Sequence, residues 1–209
     1  STIANQEELD EYEFPEPENA INFEVFKYAK KYLPEGMKLV GGVAGGIHEH
    51  LVQLVGYIPV CKAIYKEPKF IRELLDKITH LIVEVDKIIV EMDHVGVMRM
   101  GDDMGYKGRT MLNPKFLRNE IFPKKKKVVD VAHKCGKPFI LHSCGNLSEV
   151  MEDIIDILNI DAIHSFQDII YSATEAKQLW GDKIAILGGV DVDILSRGSI
   201  QEVRNYTKD

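Results

Sequence analysis

The sequence is poor in cysteine, lacks long apolar runs and has only a modest excess of one charge sign, and each shortage excludes a class of protein. Three cysteines in 209 residues do not form a disulfide framework, so we expect a reducing compartment, the cytoplasm. No run of about 18 apolar residues occurs, so no membrane span is expected. The acidic start does not resemble a signal peptide. A net charge of −7 argues against nucleic acid as a partner.

The composition, with 45% hydrophobic and 28% charged residues, is that of a globular protein. Short apolar runs begin near residues 39, 95, 138, 161 and 184, and helical patterns lie between them, most clearly over residues 68–93. Alternating strands and helices indicate an α/β protein with a parallel sheet. Both a (β/α)8 TIM barrel and an open doubly wound sheet fit this order.

Polar residues directly after the apolar runs help to choose between these folds. In a (β/α)8 barrel the site is built at the carboxyl ends of successive strands, whereas an open sheet concentrates its ligands at one switch point. The sequence therefore favours the barrel, with candidate site residues Asp102, Asp103, His142, Cys144, His164 and Asp191.

The sharpest local pattern is His142-Ser143-Cys144 at the end of a predicted strand. Residues two apart on a strand point to the same face, so an imidazole and a thiolate can be directed at one point. Both groups are good zinc ligands, although a tetrahedral site needs more of them. The structural alternative is a buried cysteine beside a histidine that bonds a backbone carbonyl.

Other polar residues carry alternative interpretations. Asp102 and Asp103 suit metal ligation, acid–base chemistry or ligand anchoring, and they equally suit a solvated turn. His48 flanks the expected rim after a run of glycines, where it is a candidate ligand contact. His164 and Asp191 serve either a ligand or hydrogen bonds between loops. The run of four lysines from Lys124 predicts a solvated helix face, and Pro123 just before it predicts a break or kink.

Several motifs together resemble the uroporphyrinogen decarboxylase superfamily. They follow one another in the expected order and cover most of the chain: Phe14-Pro15-Glu16-Pro17, Gly101-Asp102-Asp103-Met104-Gly105, Asn113-Pro114, Phe122-Pro123 with its lysines, Leu141-His142-Ser143-Cys144-Gly145-Asn146, and Leu187-Gly188-Gly189-Val190-Asp191. The resemblance implies a (β/α)8 barrel and an enzyme with one of two chemistries.

One branch of the superfamily comprises the zinc-dependent methylcobamide:coenzyme M methyltransferases and corrinoid-dependent demethylase components. Resemblance to it implies a zinc site at His142 and Cys144, completed by a cysteine beyond Asp209. It also implies transfer of a methyl group between a methylcorrinoid, carried by a corrinoid protein, and a zinc-activated thiol such as coenzyme M. Asp103 is then the expected catalytic residue. The residues expected to bind substrate are Asp102, His48, His164 and Asp191.

Two other functions remain open on the same motifs. True uroporphyrinogen decarboxylases act on an acidic tetrapyrrole without metal or cofactor, and they use an arginine-rich motif that this sequence lacks. The third possibility is a non-catalytic barrel that binds a corrinoid or tetrapyrrole. A complete (β/α)8 barrel has about 250 residues. We therefore expect residues 1–209 to be a section without its final strands and its first strand, and to be inactive alone.

Overall fold

The computed structural model describes residues 2–167 and 170–208 and contains one parallel sheet. Its strands hydrogen-bond in the order β1-β2-β3-β4-β5, and every neighbouring pair is parallel. They are β1 (Leu39–Gly41), β2 (Val95–Gly101), β3 (Phe139–His142), β4 (Ala162–His164) and β5 (Ala185–Leu187). A doubly wound sheet reverses its strand order at a switch point, whereas a (β/α)8 barrel adds strands consecutively. The observed order confirms the predicted fold class as a section of a barrel.

Helices fill the connections between consecutive strands, and further helices precede β1 and follow β5. They are α1 (Gln6–Glu11), α2 (Glu24–Tyr32), α3 (Ile47–Val55), α4 (Tyr57–Lys66), α5 (Pro68–Val90), α6 (Pro114–Phe116), α7 (Phe122–Lys134), α8 (Met151–Asp153), α9 (Ala173–Trp180), α10 (Val192–Arg197) and α11 (Ile200–Tyr206). None of the helices in this described part of the chain combines the length and apolar character needed to cross a membrane.

The core lies between the sheet and the two longest helices, α5 and α7. Buried positions of α5 recur every three or four residues, as the sequence pattern predicts for an amphipathic helix. Met98 and Met100 of β2 are buried on the side of these helices. The Sδ atom of Met100 lies 3.7 Å from Nζ of Lys125 on α7, which identifies this as the helix-facing side of the sheet.

Pro123 does not break its helix, contrary to the sequence prediction. The chain runs from α6 through a π-helical turn, Leu117–Ile121, directly into α7, and Pro123 lies in the first turn of α7. Proline has no N–H to donate, and the first turn of a helix needs none within the helix. The wider π turn therefore leads into α7 with the proline at a tolerated position. Asn113 caps this segment as predicted, accepting a hydrogen bond from the Lys115 N–H.

Candidate metal and substrate site

Strand alternation directs a set of polar residues to the face of the sheet opposite the helices. Gly101 of β2 pairs with His142 of β3, which in turn pairs with His164 of β4. Paired residues of parallel strands point to the same side, so these three positions lie at one level at the carboxyl ends of the strands. Arg99 lies two residues earlier on the same side. This face is the interior of the barrel section.

Three side chains, one from the end of β3 and two from the loops after β2 and β3, converge at this level. His142 Nε2 lies 3.5 Å from Cys144 Sγ and 3.5 Å from Asp103 Oδ1, and donor atoms of all three residues lie within 4.8 Å of one another. Ligand atoms of a tetrahedral zinc with bonds of roughly 2.0 to 2.3 Å are themselves about 3.5 Å apart. The nitrogen, sulfur and oxygen donors therefore suit zinc in their chemistry, and the two separations from His142 Nε2 match the spacing of zinc ligands.

Backbone hydrogen bonds hold the two loops together. The Cys144 N–H donates to Asp103 Oδ1 at 2.7 Å, and the Gly105 N–H donates to the Cys144 carbonyl at 3.2 Å. The buried Ser143 hydroxyl accepts from the Met104 N–H at 3.0 Å. Gly145 has a φ of +85°, and a Cβ at this position would lie 2.1 Å from the backbone of Gly105, so a side chain there would overlap the other loop. The donor set is thus fixed by its own backbone.

His142 and His164 form a close pair. Their Nδ1 atoms are 2.6 Å apart, so one ring donates a hydrogen to the other. Burial lowers the pKa of both imidazoles, and the Arg99 guanidinium lowers both further, although the Asp103 carboxylate opposes the shift at His142. Both rings are consequently neutral at pH 7. Since His142 uses Nδ1 toward His164, its Nε2 faces the Cys144 sulfur.

Burial raises the pKa of the Cys144 thiol, and the nearby Asp103 carboxylate raises it further, while a hydrogen bond with Ser165 opposes both effects. In the absence of a metal the sulfur is therefore a neutral thiol at pH 7. Ser165 Oγ lies 3.8 Å from the sulfur, and sequence reasoning missed this neighbour. The other cysteines lie elsewhere: Cys61 is on α4, and Cys135 ends α7 at the exposed surface.

Asp102 lies on the helix side of the sheet, away from Asp103. Its carboxylate is fully buried, pairs with Lys125 and accepts hydrogen bonds from the N–H groups of His48 and Glu49 at 3.1 and 2.8 Å. Burial by itself would raise the pKa of Asp102, but the Lys125 ammonium and the other partners hold it below its ordinary value. The carboxylate thereby caps the first turn of α3.

The prediction of a solvated lysine face was wrong for Lys125. Its side chain is only 1% exposed and forms the buried ion pair with Asp102. Lys127 is exposed, as predicted. A buried ammonium requires a charged partner, and Asp102 supplies it from the position directly after β2. A run of like residues concealed this contact, because local charge patterning contains no information about a distant partner.

The remaining candidates take separate places. His48 is 2% exposed, and neither ring nitrogen has a hydrogen-bond partner among the described residues. Burial lowers its pKa, so the ring is neutral. Asp191 follows β5 and caps α10, where Oδ1 accepts from the N–H groups of Asp193 and Ile194 at 2.8 and 3.2 Å. The structure therefore brings together Asp103, His142, Cys144 and His164, and it places Asp102, His48 and Asp191 in other environments. Their predicted contacts with substrate stay predictions.

Comparison with known proteins places this geometry in a family. A family model described as uroporphyrinogen decarboxylase (URO-D) matches residues 1–209. Among solved structures, a methyltransferase from Methanosarcina mazei is similar, with a TM-score of 0.66 and 20% sequence identity. The match covers 80% of this chain and 47% of that one, so the chain spans about half the length of the methyltransferase. At this identity the likeness establishes the fold alone. No curated protein matches the chain.

Proposed function

The chain belongs to the uroporphyrinogen decarboxylase family, and from that premise we propose that its site serves zinc-dependent methyl transfer from a methylcorrinoid to a thiol. One observation carries the proposal: the two 3.5 Å separations of His142 Nε2 from Cys144 Sγ and Asp103 Oδ1, which match the spacing of ligands around a tetrahedral zinc. Decarboxylation of a tetrapyrrole by this family needs no such donor set. The similar methyltransferase fold supports the same choice.

His142, Cys144 and Asp103 are the residues that would hold the metal. The hydrogen bond between the Nδ1 atoms of His142 and His164 fixes the His142 ring and leaves Nε2 as the ligand atom. These are the donors that residues 1–209 supply, and the resemblance implies a further cysteine beyond Asp209; a catalytic zinc site also keeps one position for a substrate. Bound there, zinc would lower the pKa of a coordinating thiol enough to deprotonate it at neutral pH.

The reaction is a displacement at the methyl carbon. The substrate thiol loses its proton to solvent, and its sulfur forms a new bond to the methyl group of the corrinoid. A methylcorrinoid would supply the methyl group, and the electron pair of its carbon–cobalt bond would remain with the corrinoid. A corrinoid protein is the proposed carrier of the donor, because the corrinoid must enter and leave the open rim at each turnover. A reducing compartment suits a site that depends on a free thiol.

The chain's own residues orient the reactants. Asp103 accepts the Cys144 N–H and so holds the second loop in place while offering its carboxylate to the metal. His164 positions the His142 ring through the hydrogen bond between their Nδ1 atoms. Both histidines are kept neutral by burial and by the Arg99 cation, so they do not repel a bound metal cation.

The competing function is decarboxylation of an acidic tetrapyrrole, which the description of the matching family model favours. That reaction requires no metal, so metal content separates the two functions. A protein that remains metal-free after zinc addition and turns over a porphyrinogen would support the decarboxylase.

Metal analysis of the purified protein tests the proposal directly. We expect one zinc per chain in the wild type and none in the His142→Ala, Cys144→Ala double variant. Cys135→Ala is the matched control, because this exposed cysteine lies at the end of α7 and should leave the zinc content unchanged. Zinc that persists in the double variant would show that the proposed ligands are wrong.

A further inference from the structure

Asp102 joins several elements of the structure at one buried point. Its backbone N–H donates to the carbonyl oxygen of His142 at 2.8 Å. Its carboxylate accepts hydrogen bonds from the N–H groups of His48 and Glu49 in the first turn of α3 and pairs with Lys125 of α7. The residue that follows β2 is therefore tied to β3, to α3 and to α7 at once.

The packing around the Asp102 carboxylate is tight. A Cβ at Gly46, the residue before α3, would lie 2.2 Å from both Cβ and Cγ of Asp102, so the start of α3 rests directly against this side chain. The side chains of Asp102 and Lys125 are 0% and 1% exposed, which keeps water away from the pair. The carboxylate is thus held both by directed bonds and by contact with α3.

A buried ion pair contributes direction more than stability. Removing two charges from water costs about as much as their attraction returns, and replacement of such a pair by apolar residues is often neutral or stabilising. Hydrogen bonds to a charged group are short and depend on angle, so they fix the groups that they join. The pair of Asp102 with Lys125 therefore determines where the chain leaves β2.

The anchored point lies one residue from a proposed metal ligand. Consecutive Cα atoms are about 3.8 Å apart, so a displacement of Asp102 moves Asp103 with it. The Asp103 carboxylate accepts the Cys144 N–H at 2.7 Å, and the Asp102 N–H bonds the His142 carbonyl. Both proposed ligands from the end of β3 are consequently bonded to the segment that the buried pair anchors.

We propose that Asp102 and Lys125 are positioning residues of the candidate metal site. The pair holds the segment after β2 in the place where Asp103, His142 and Cys144 converge, and this placement sets the affinity of the site for zinc. The inference rests on the metal site of the proposed function, but it does not depend on the identity of the methyl donor or acceptor. Residues that orient metal ligands typically change metal affinity by about 10- to 100-fold when they are substituted.

The double variant Asp102→Asn, Lys125→Met separates positioning from stability. It leaves no unpaired buried charge, so it should retain more of the free energy of unfolding than Lys125→Met alone. The amide nitrogen of asparagine accepts no hydrogen bond and methionine has no donor, so the directed bonds are weakened or lost. We expect the folded double variant to bind zinc about 10-fold or more weakly than the wild type in competition with a chelator. Wild-type zinc affinity in this variant would overturn the proposal.

The matched control is the double variant Lys124→Met, Asp76→Asn. It removes the ion pair of the neighbouring lysine on α7, which joins α7 to α5 and involves no residue of the site. This control should bind zinc as the wild type does. An equal loss of zinc affinity in the two double variants would refute a specific role for Asp102 and Lys125.

A second variant displaces Asp102 without removing a charge. Gly46 has a φ of −99°, which alanine adopts without strain, but the new methyl group would overlap the Asp102 side chain. We expect Gly46→Ala to bind zinc about 10-fold or more weakly than the wild type. Gly189→Ala, in open space, should bind zinc as the wild type does. If the Asp102→Asn, Lys125→Met variant does not fold, unchanged zinc affinity in Gly46→Ala would refute the positioning role.

Hydrogen exchange of the metal-free protein separates this inference from the proposed function. The Cys144 N–H donates to Asp103 Oδ1, whereas the Met98 N–H donates to the Pro138 carbonyl at 2.9 Å, at the start of β3. We expect the Asp102→Asn, Lys125→Met variant to lose more protection at Cys144 than at Met98. Equal losses would mean that the pair only stabilises the whole protein, which would overturn the positioning role. A selective loss at Cys144 in a protein that binds no zinc would retain the positioning role and reject the proposed function. Zinc binding that all these variants leave unchanged would do the reverse.

Discussion

Asp86 is a buried acid whose ionisation should make the stability of the protein fall as the pH rises. It lies on α5 with 1% exposure, and its Oδ1 has no hydrogen-bond partner among the described residues. Burial raises its pKa from 3.8 to about 7, although a hydrogen bond from the Val43 backbone partly opposes the shift. Val43 belongs to the loop that leads from β1 toward the rim. The acid is therefore neutral in the folded protein below about pH 7 and charged in the unfolded chain above pH 3.8.

The sign and size of the effect follow from proton linkage. Between pH 3.8 and about 7 the folded state binds a proton that the unfolded state has released, so stability declines as the pH rises. The stabilising contribution is complete below the unfolded pKa, and it is lost by the time the pH reaches the folded one. Each pH unit in this window is worth about 1.4 kcal/mol. The decline amounts to about 4 kcal/mol over the whole window and to about 3 kcal/mol between pH 5 and pH 8.

The substitution Asp86→Asn removes this dependence, because asparagine is neutral in both states at every pH. Urea unfolding of the wild type and the variant at pH 5 and pH 8 measures the effect. We expect the variant to gain about 3 kcal/mol relative to the wild type between these two values. The side-chain amide nitrogen of the new asparagine, if it has no acceptor, would cost about 1 to 3 kcal/mol of stability. This cost is the same at both pH values, so it cancels from the difference between them.

The matched control is Asp76→Asn on the same helix, where the aspartate side chain is 62% exposed. The free energy of unfolding of this variant should change with pH in the same way as that of the wild type from pH 5 to pH 8. If the stability of Asp86→Asn also follows that of the wild type over this pH range, Asp86 is ionised in the folded protein throughout it. The reasoning from burial would then be refuted, because the folded protein must stabilise the charge through a contact that the structure does not contain.

Two further substitutions test the contacts around the site. Lys125→Met should lower the free energy of unfolding by about 3 to 5 kcal/mol in chemical denaturation, because it leaves Asp102 buried without its counter-ion. The control Lys127→Met, on the exposed face, should change this free energy by about 0.5 kcal/mol or less. Equal effects of the two substitutions would contradict the buried pair. Gly145→Ala should weaken zinc binding by about 10-fold or more in competition with a chelator, because the new methyl group displaces the loop of a proposed ligand. Gly189→Ala is the control, because there is open space around Gly189. A similar loss of zinc affinity in both variants would show that displacement of the ligand loop is not the cause.

The sheet was predictable because buried parallel strands have a strong local signature. Continuous apolar runs separated by helical patterns place each strand within a residue or so of its observed start. The bounds of helix α4, in contrast, were not predicted. Pro59 lies at its third position, where proline suits the first turn of a helix, and Gly56 separates it from α3. Two helices joined by one glycine are difficult to distinguish from a single irregular segment by periodicity.

The site was predictable only in part, since its contacts join residues that are far apart in the sequence. The pairing of His142 with His164 depends on the register of β3 with β4, and the position of Arg99 depends on the register of β2 with β3. No role was predicted for Arg99. Its isolation as a charged residue within a strand was nevertheless visible in the sequence, and it was the available signal.

The alternation of side chains along a strand explains which polar residues face the site, and it extends beyond the strand ends. Arg99 and Gly101 point to the barrel interior, so Asp103 continues that side, while Asp102 follows Met100 toward the helices. The end of β3 and the loop after it repeat this division: His142 and Cys144 face the interior, and Ser143 between them is buried and accepts a hydrogen bond from the Met104 N–H. Two adjacent aspartates therefore have opposite environments, one near a proposed metal and one inside the core. Period-two alternation assigns Asp102 a structural role before any distance is measured, provided that the preceding residues are recognised as a strand.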